Sequence, residues 1–338
     1  MREFIMLLAL SFSLIASTAC QTTGAGEEEK PQITREMPLD EAYAHAVRFG
    51  DDVLRQVRDL ARERQEVPAL KQLSENDLLQ NHENADAAYL LNAAHLYRIS
   101  SPQLSQKLLK TLLNSRNKTS RVIAWRLAAV KPSGEVAQTL ENFLTTVLGE
   151  GHEESVLIPE MAIAVQENNL KSAYTFLVRG LMVEGSPEFA NAMLVLDPSR
   201  ASGPFLDYLR KADLDDLRQM NQNSVNVYTC TVIFRYLQDN PLPINHPGAS
   251  QLFTFAISRN RGLADMANAV LEKHMPEHRA AFAMMLARMP VQVQLAFVEN
   301  SQRELTSNLR LFLGDLKEVA QQKEVLEELN SGQSAVAQ

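Results

Sequence analysis

Apolar residues along this chain recur with the period of an α-helix. Leu104, Leu108, Leu109, Leu112 and Leu113 fall three or four apart, and so do Val136, Leu140, Phe143, Leu144 and Val147. That spacing puts each set on one face of a 3.6-residue helix and predicts amphipathic helices with one buried side. Nearly every segment from Pro38 onward follows the same pattern. Ser74 with Asp77, Asp213 with Asp216 and Ser301 with Glu304 have the capping-box spacing or its aspartate variant, and each predicts a helix start. The stretch VNVYTCTVIFRYL, Val225 to Leu237, carries β-branched residues that favour strands. It is long, has no internal Gly or Pro and lies among helices, so it reads as a buried helix. Only 13 glycines in 338 residues argue against a turn-rich β protein. The predicted fold class is all-α.

The helices pair. IAWRLAAVKPSGEVAQTLENFL, Ile123 to Leu144, reads as helix, proline turn, helix, and FANAMLVLDPSRASGPFLDYLR, Phe189 to Arg210, copies it 66 residues later, with Pro198 falling on Pro132. Ile123, Leu127, Val130, Leu140 and Phe143 then coincide with Phe189, Met193, Leu196, Leu206 and Leu209. A weaker third copy, 144 residues on, sets Pro276 on Pro132 and places Ala267, Leu271, Met284 and Ala287 at the core positions. The shift of 66 is two units of 33, and the remaining 78 is two of 39. Hairpins of this length cannot bury their own apolar faces and must stack. Residues 38–300 are therefore expected to form an α-solenoid of stacked helical hairpins. LLKTLLNSRNKTSRVIAWRLAAVKP, Leu108 to Pro132, resembles a HEAT-type repeat. NADAAYLLNAAHLYRI, Asn84 to Ile99, has a TPR-like flavour but lacks that family's Trp, Gly and Tyr spacing. An irregular helical globule with chance copies is the alternative.

At the carboxy end Leu305, Leu309, Phe312, Leu316, Val319, Lys323 and Leu326 alternate by four and three, a heptad seam with Lys323 as its polar member. It predicts an amphipathic helix over 301–330 that caps the last repeat or, in the sharper alternative, forms a homodimer seam; residues 331–338 are expected to fray as a disordered tail.

The amino end differs in kind. Residues 1–19 read as a signal peptide, with Arg2 as a short positive region, an apolar stretch from Phe4 to Ala16 and small residues before Cys20. Ser17-Thr18-Ala19-Cys20 resembles the lipobox of bacterial lipoproteins. The resemblance implies a Cys20 thiol alkylated by a diacylglyceryl group, a leader cut before Cys20 and an acylated new amino terminus, with palmitate among the chains. Gln21 as the second mature residue, where an aspartate would favour the inner membrane, implies an outer-membrane, periplasm-facing protein. Two or more acyl chains suffice for stable anchoring. Residues 20–37, with Gly24, Gly26, three consecutive glutamates and Pro31, then form a flexible tether. Ordinary secretion with a spectator cysteine is the alternative.

Charge changes the picture next. The net charge of −8 argues against general nucleic-acid binding. Between Asp86 and Glu135 no acidic residue occurs, while Arg98, Lys107, Lys110, Arg116, Lys118, Arg121, Arg126 and Lys131 do; seven glutamates and no Lys or Arg follow before Lys171. Either neighbouring repeats pair these surfaces, or the basic block is a ridge for an anionic partner in the envelope. Arg116, Lys118, Arg121 and Arg126 are the candidate partner-binding residues, with Arg116 and Lys118 the most exposed, and Trp125 is either core or an anchor. With Cys20 lipidated, Cys230 is unpaired and reads as a buried small hydrophobe.

Candidate chemistry is sparse. HMPEH, His274 to His278, has the inverted zincin pattern H-x-x-E-H, which works on an unbroken helix. Pro276 predicts a turn there that takes the histidines off a common face. His152-Glu153 starts no H-E-x-x-H, and there is no G-x-S-x-G, P-loop or C-x-x-C. No metal, cofactor or catalytic residue is expected. The sequence supports a non-enzymatic, membrane-anchored periplasmic scaffold or adaptor; the alternative is an envelope hydrolase whose site converges only in three dimensions.

Overall fold

A computed structural model describes residues 75–84, 102–150, 157–212, 225–303 and 306–336, together with Thr34, Met37, Gln56, Leu60, Ala93 and Tyr97. Among the described residues there are fourteen α-helices, four 3-10 turns and no strand. The signal peptide, Cys20, the helix start at Asp213 and Asp216, and most of the TPR-like segment lie outside the described residues, as do all but Thr34 and Met37 of the tether. The chain divides into two compact units, Met1–Gly151 and His152–Gln338.

The first unit holds α1 (Glu75–Gln80), α2 (Pro102–Leu113), α3 (Lys118–Val130) and α4 (Gly134–Glu150). Helix α2 is central and packs on the other three. Its predicted stripe Leu108, Leu109, Leu112 and Leu113 is fully buried, as are Leu140 and Leu144 of α4. Each such leucine contributes about 1.5–3 kcal/mol by leaving water. Trp125 is buried, its ring 5.9 Å from that of Phe143, so it is core and no anchor.

The second unit runs through α5 (Pro159–Glu167), α6 (Tyr174–Val183), α7 (Pro187–Leu196), α8 (Ser202–Leu209), α9 (Val227–Asp239), α10 (Gln251–Ala256), α11 (Arg261–Ala287), α12 (Val291–Arg303), α13 (Ser307–Val319) and α14 (Lys323–Val336). Helices α5 and α7 begin on Pro159 and Pro187, where a missing N–H costs nothing. Asn226, Asn260 and Thr306 cap α9, α11 and α13 by accepting backbone N–H groups. Packing is local along the sequence: α7 lies on α5 and α6, α9 on α7 and α8, α11 on α9 and α10, α13 on α11, and α14 on α12 and α13. Phe253 of α10 ties one end together, meeting Phe282, Phe297 and Phe312 with ring centroids 5.8, 5.1 and 6.2 Å away.

A common register runs through both units. Glu83 bonds the backbone of Arg116, 33 residues on, and Gln106 bonds Thr139 at the same separation. Ser202 meets Tyr236 across 34 residues, His274 meets Leu237 across 37, Thr306 meets Glu272 across 34 and Arg279 meets Asp315 across 36.

The first two sequence copies are observed as helix–turn–helix units, and the helix expected over Val225 to Leu237 is α9. In the second copy Phe189, Met193, Leu196, Leu206 and Leu209 are all buried; in the first, Val130 is 39% exposed. The third copy departs from expectation. Pro276 makes no turn: α11 continues through it and kinks at His278 (φ −123°, ψ 18°). The buried positions beyond the kink are Phe282, Ala283 and Leu286, and Met284 is 47% exposed. His274 Nε2 donates to the Leu237 carbonyl at 2.8 Å, and Met275 is buried; these contacts hold the segment helical up to the proline.

The carboxy end departs too. Ser301 lies inside α12, and the helix start falls at Thr306, whose hydroxyl accepts from the Leu309 N–H. Helix α13 ends at Ala320 in extended backbone (ψ 133°), so 301–330 is not one helix and the heptad seam is broken. Lys323 is exposed and pairs with Glu327 at 3.4 Å; Val325 and Leu329 form the buried face of α14. Helix α14 reaches Val336, into the segment expected to be a frayed tail.

Candidate functional site

The basic block centres on the loop between α2 and α3. Asn117 begins α3 as its N-cap, Oδ1 accepting from the Thr119 N–H at 2.8 Å. The loop is clasped by the 3-10 turn His82–Asn84. Glu83 Oε1 accepts from the Arg116 N–H at 2.9 Å and Oε2 from the Asn117 N–H at 3.1 Å, while Asn117 Nδ2 donates to the Glu83 carbonyl at 2.7 Å. Ser115 and Ser120 hydroxyls donate to the His82 carbonyl. The Arg116 N–H holds the Glu83 carboxyl below its usual range, against a smaller opposing effect of desolvation.

The four predicted basic residues do not form one free ridge. Arg116 and Lys118 are exposed, as expected. Arg121 is half-buried, and its Nη1 donates to the carbonyls of Ser115 at 2.7 Å and Arg116 at 3.1 Å. It closes the loop from below, so its guanidinium is spent on the loop backbone and not free as the ridge reading expected. Arg126 is half-buried on α3 and engaged within the protein. Lys131 reaches the Tyr97 carbonyl at 3.4 Å and lies 5.7 Å from that ring's centre.

The second unit carries a groove that the sequence did not single out. Parallel rows on α6 and α8 leave an open cleft of about 310 Å³ lined by Val178, Met182, Pro204, Asp207, Arg210 and Lys211. Lys211 Nζ donates to the Met182 carbonyl at 2.5 Å and lies 5.6 Å from the centre of the Tyr208 ring. Asp207 sits 3.5 Å from Arg210 and 3.7 Å from His246 Nε2. One helical turn before Val178, the buried Tyr174 ring carries the Arg200 guanidinium at 4.4 Å from its centre.

A hydroxyl hub fixes the far end of this groove. The buried Tyr208 Oη donates to the Gly185 carbonyl at 3.2 Å and accepts from the Asn226 N–H at 2.8 Å; Thr229 Oγ1 donates to the same carbonyl at 2.6 Å. Burial pushes the Tyr208 phenol up to about 12, so it keeps its proton. Gly185 takes φ +66°, which glycine adopts freely, and a Cβ there would meet Tyr208 Oη at 2.8 Å. The hub joins the α6–α7 turn, the end of α8 and the start of α9.

The histidines of HMPEH lie on one kinked helix and not on a turn. His274 and His278 rings stack 6.4 Å apart on the kinked helix. His274 Nε2 is engaged by the Leu237 carbonyl, and no group of three metal-binding side chains gathers among the described residues. Cys230 is buried and its thiol is pushed up to about 12 by desolvation, which makes it an apolar filler. No helix among the described residues is long and apolar enough to cross a membrane. Comparison of the chain with known protein families, with curated proteins and with solved structures gives no match.

Glu83 and the groove escaped the sequence because nothing local marks them. Glu83 is one acid in a polar stretch, 33 residues from its partner. Its only signal is that distance, which equals the repeat length.

Proposed function

We propose that this chain is a lipid-anchored α-helical repeat protein of the bacterial envelope, a HEAT- or TPR-like stack of helical hairpins that serves as a non-enzymatic scaffold or adaptor. Cys20 carries the lipid, residues 20–37 are the tether, and the protein sits on the outer membrane facing the periplasm. The observation that carries the repeat part of the proposal is the recurrence of side-chain hydrogen bonds across 33–38 residues, from Glu83–Arg116 to Thr306–Glu272 and Tyr236–Pro198. In a solenoid each residue lies beside its counterpart one repeat away, and contacts stay between near neighbours. Such surfaces bind partners along exposed helix and loop rows. In the first unit Arg116 and Lys118 are the exposed partner-facing cations, with Arg121 positioning their loop.

Affinity purification from detergent-solubilised envelope tests this function. A stoichiometric protein partner, lost on reversal of exposed surface residues but not on substitution of His274 or His278, supports the scaffold. A purified chain that binds no protein and hydrolyses an envelope polymer or lipid contradicts it.

A further inference from the structure

The groove between α6 and α8 offers a site with a defined chemistry. Its floor is apolar, made by Val178, Met182 and Pro204. Arg210 and Lys211 line it, and Arg200, just outside the lining, rests on Tyr174 one helical turn before Val178. Two acids oppose these three cations: Asp207, which lies 3.5 Å from Arg210, and Asp197, which stands with Arg200 near Tyr174. Arg200 is exposed and rests on the face of Tyr174, and among the described residues no carboxylate pairs with it. Its planar fork of five donors is therefore available to a carboxylate. This local surplus of positive charge occurs in a chain whose net charge is −8.

We propose that this groove docks a short acidic segment of a partner protein, aliphatic side chains on the Val178–Met182–Pro204 floor and carboxylates against Arg200 and Arg210. The proposal rests on the scaffold function above and names the partner's chemistry. Three features select a peptide. The volume of about 310 Å³ stands at the small end of small-molecule pockets, roughly 300–1,000 Å³, and the cleft is open, so it admits a few side chains of a chain passing through. An apolar side chain continues along α6 from Met182: Val183, next in sequence, is 52% exposed. The hub of Tyr208, Thr229 and Gly185 ties the α6–α7 turn to the end of α8, the two helices whose residues line the cleft, and a fixed pair of helices lowers the ordering cost of binding. Complementary charge then sets which peptide docks.

The test pans a random 12-residue peptide library, displayed on phage, against the full chain in detergent. Selected peptides are measured by fluorescence anisotropy on the parent, on Arg200→Glu/Arg210→Glu and on Val178→Asp, with melting curves for each. Flotation with phosphatidylglycerol vesicles runs in parallel. The proposal expects acidic, aliphatic peptides whose affinity falls by about tenfold or more in both variants at unchanged melting temperature, and falls again with added salt. It is overturned if no peptide is enriched, if the enriched peptides are neutral or basic, or if the variants bind them as the parent does. It is equally overturned if vesicles, and not peptides, depend on Arg200 and Arg210, because the cations then face a lipid surface. A scaffold with a different docking site would still yield a stoichiometric partner in the envelope purification, so failure here is distinguishable from failure of the broader function.

Discussion

Arg121→Met separates a structural cation from its exposed neighbours. The substitution keeps most of the apolar stem and removes the guanidinium that donates to the Ser115 and Arg116 carbonyls at 2.7 and 3.1 Å. Hydrogen bonds to charged groups contribute about 1.5–3 kcal/mol each. The pair is half-exposed, and ordering an arginine costs up to about 2 kcal/mol of rotamer entropy, so the net loss should be about 2 kcal/mol rather than the full sum. Thermal unfolding followed by circular dichroism at 222 nm reads it. At about 2–4 °C per kcal/mol for a unit of this size, the first transition should fall by about 4–8 °C. Lys118→Met, on an exposed residue one turn before, should change stability by no more than about 0.5 kcal/mol. If Arg121→Met melts within about 1 °C of Lys118→Met, the guanidinium is not closing the loop and the assignment of Arg121 is wrong. The comparison also bears on partner binding: Arg116→Glu with Lys118→Glu should weaken it without loss of stability, whereas any variant of Arg121 confounds the two.

Tyr208→Phe should cost about 1 kcal/mol in urea unfolding, because the part-buried Asn226 N–H loses its acceptor and the Gly185 carbonyl one of its donors; a change within about 0.3 kcal/mol would show that the hub is dispensable. Gly248→Ala places a Cβ 2.3 Å from the Leu206 carbonyl oxygen and should destabilise by about 1–3 kcal/mol, and a neutral effect would mean that the α8 contact with the 3-10 turn Pro247–Ser250 is loose. Burial raises Cys230 from its ordinary 9 to about 12, so between those values the unfolded chain holds fewer protons than the folded one. Stability from this group is complete below about pH 9 and declines by up to about 1.4 kcal/mol per pH unit above it. Cys230→Ala should flatten that alkaline decline. A thiol reagent at pH 8 should find no reactive cysteine in the folded lipidated protein and one after denaturation; rapid labelling of folded protein at Cys230 would contradict its burial.

The helices were legible because their burial is periodic. Leu108, Leu109, Leu112 and Leu113 declared one face, and the length and setting of Val225 to Leu237 outweighed its β-branched content. Proline was the ambiguous signal. At Pro198 the chain leaves the helix one residue earlier, at Asp197 (φ −161°, ψ 83°), and a turn forms. At Pro276 the flanking His274 and Met275 are buried, and tertiary contacts carry the helix through to a kink. Periodicity cannot distinguish these cases, because the deciding contacts come from other helices. The carboxy-terminal seam misled for a related reason: its four–three spacing continues across Ala320, where extended backbone resets which residues face inward. The clasp of Glu83 and the cleft between α6 and α8 depend on placement between repeats, which spacing within a repeat does not encode.

The central proposal, a chain held to the envelope by lipid on Cys20, is tested most directly by replacing Cys20 with Ser and fractionating the cells, with intact-mass measurement of both purified proteins. The parent should partition with membranes and carry the mass of a chain that begins at Cys20 plus its acyl groups. Cys20→Ser should lose that added mass and move to the soluble fraction. A variant that stays in the membrane fraction as firmly as the parent, or a parent without lipid mass, would contradict the anchor.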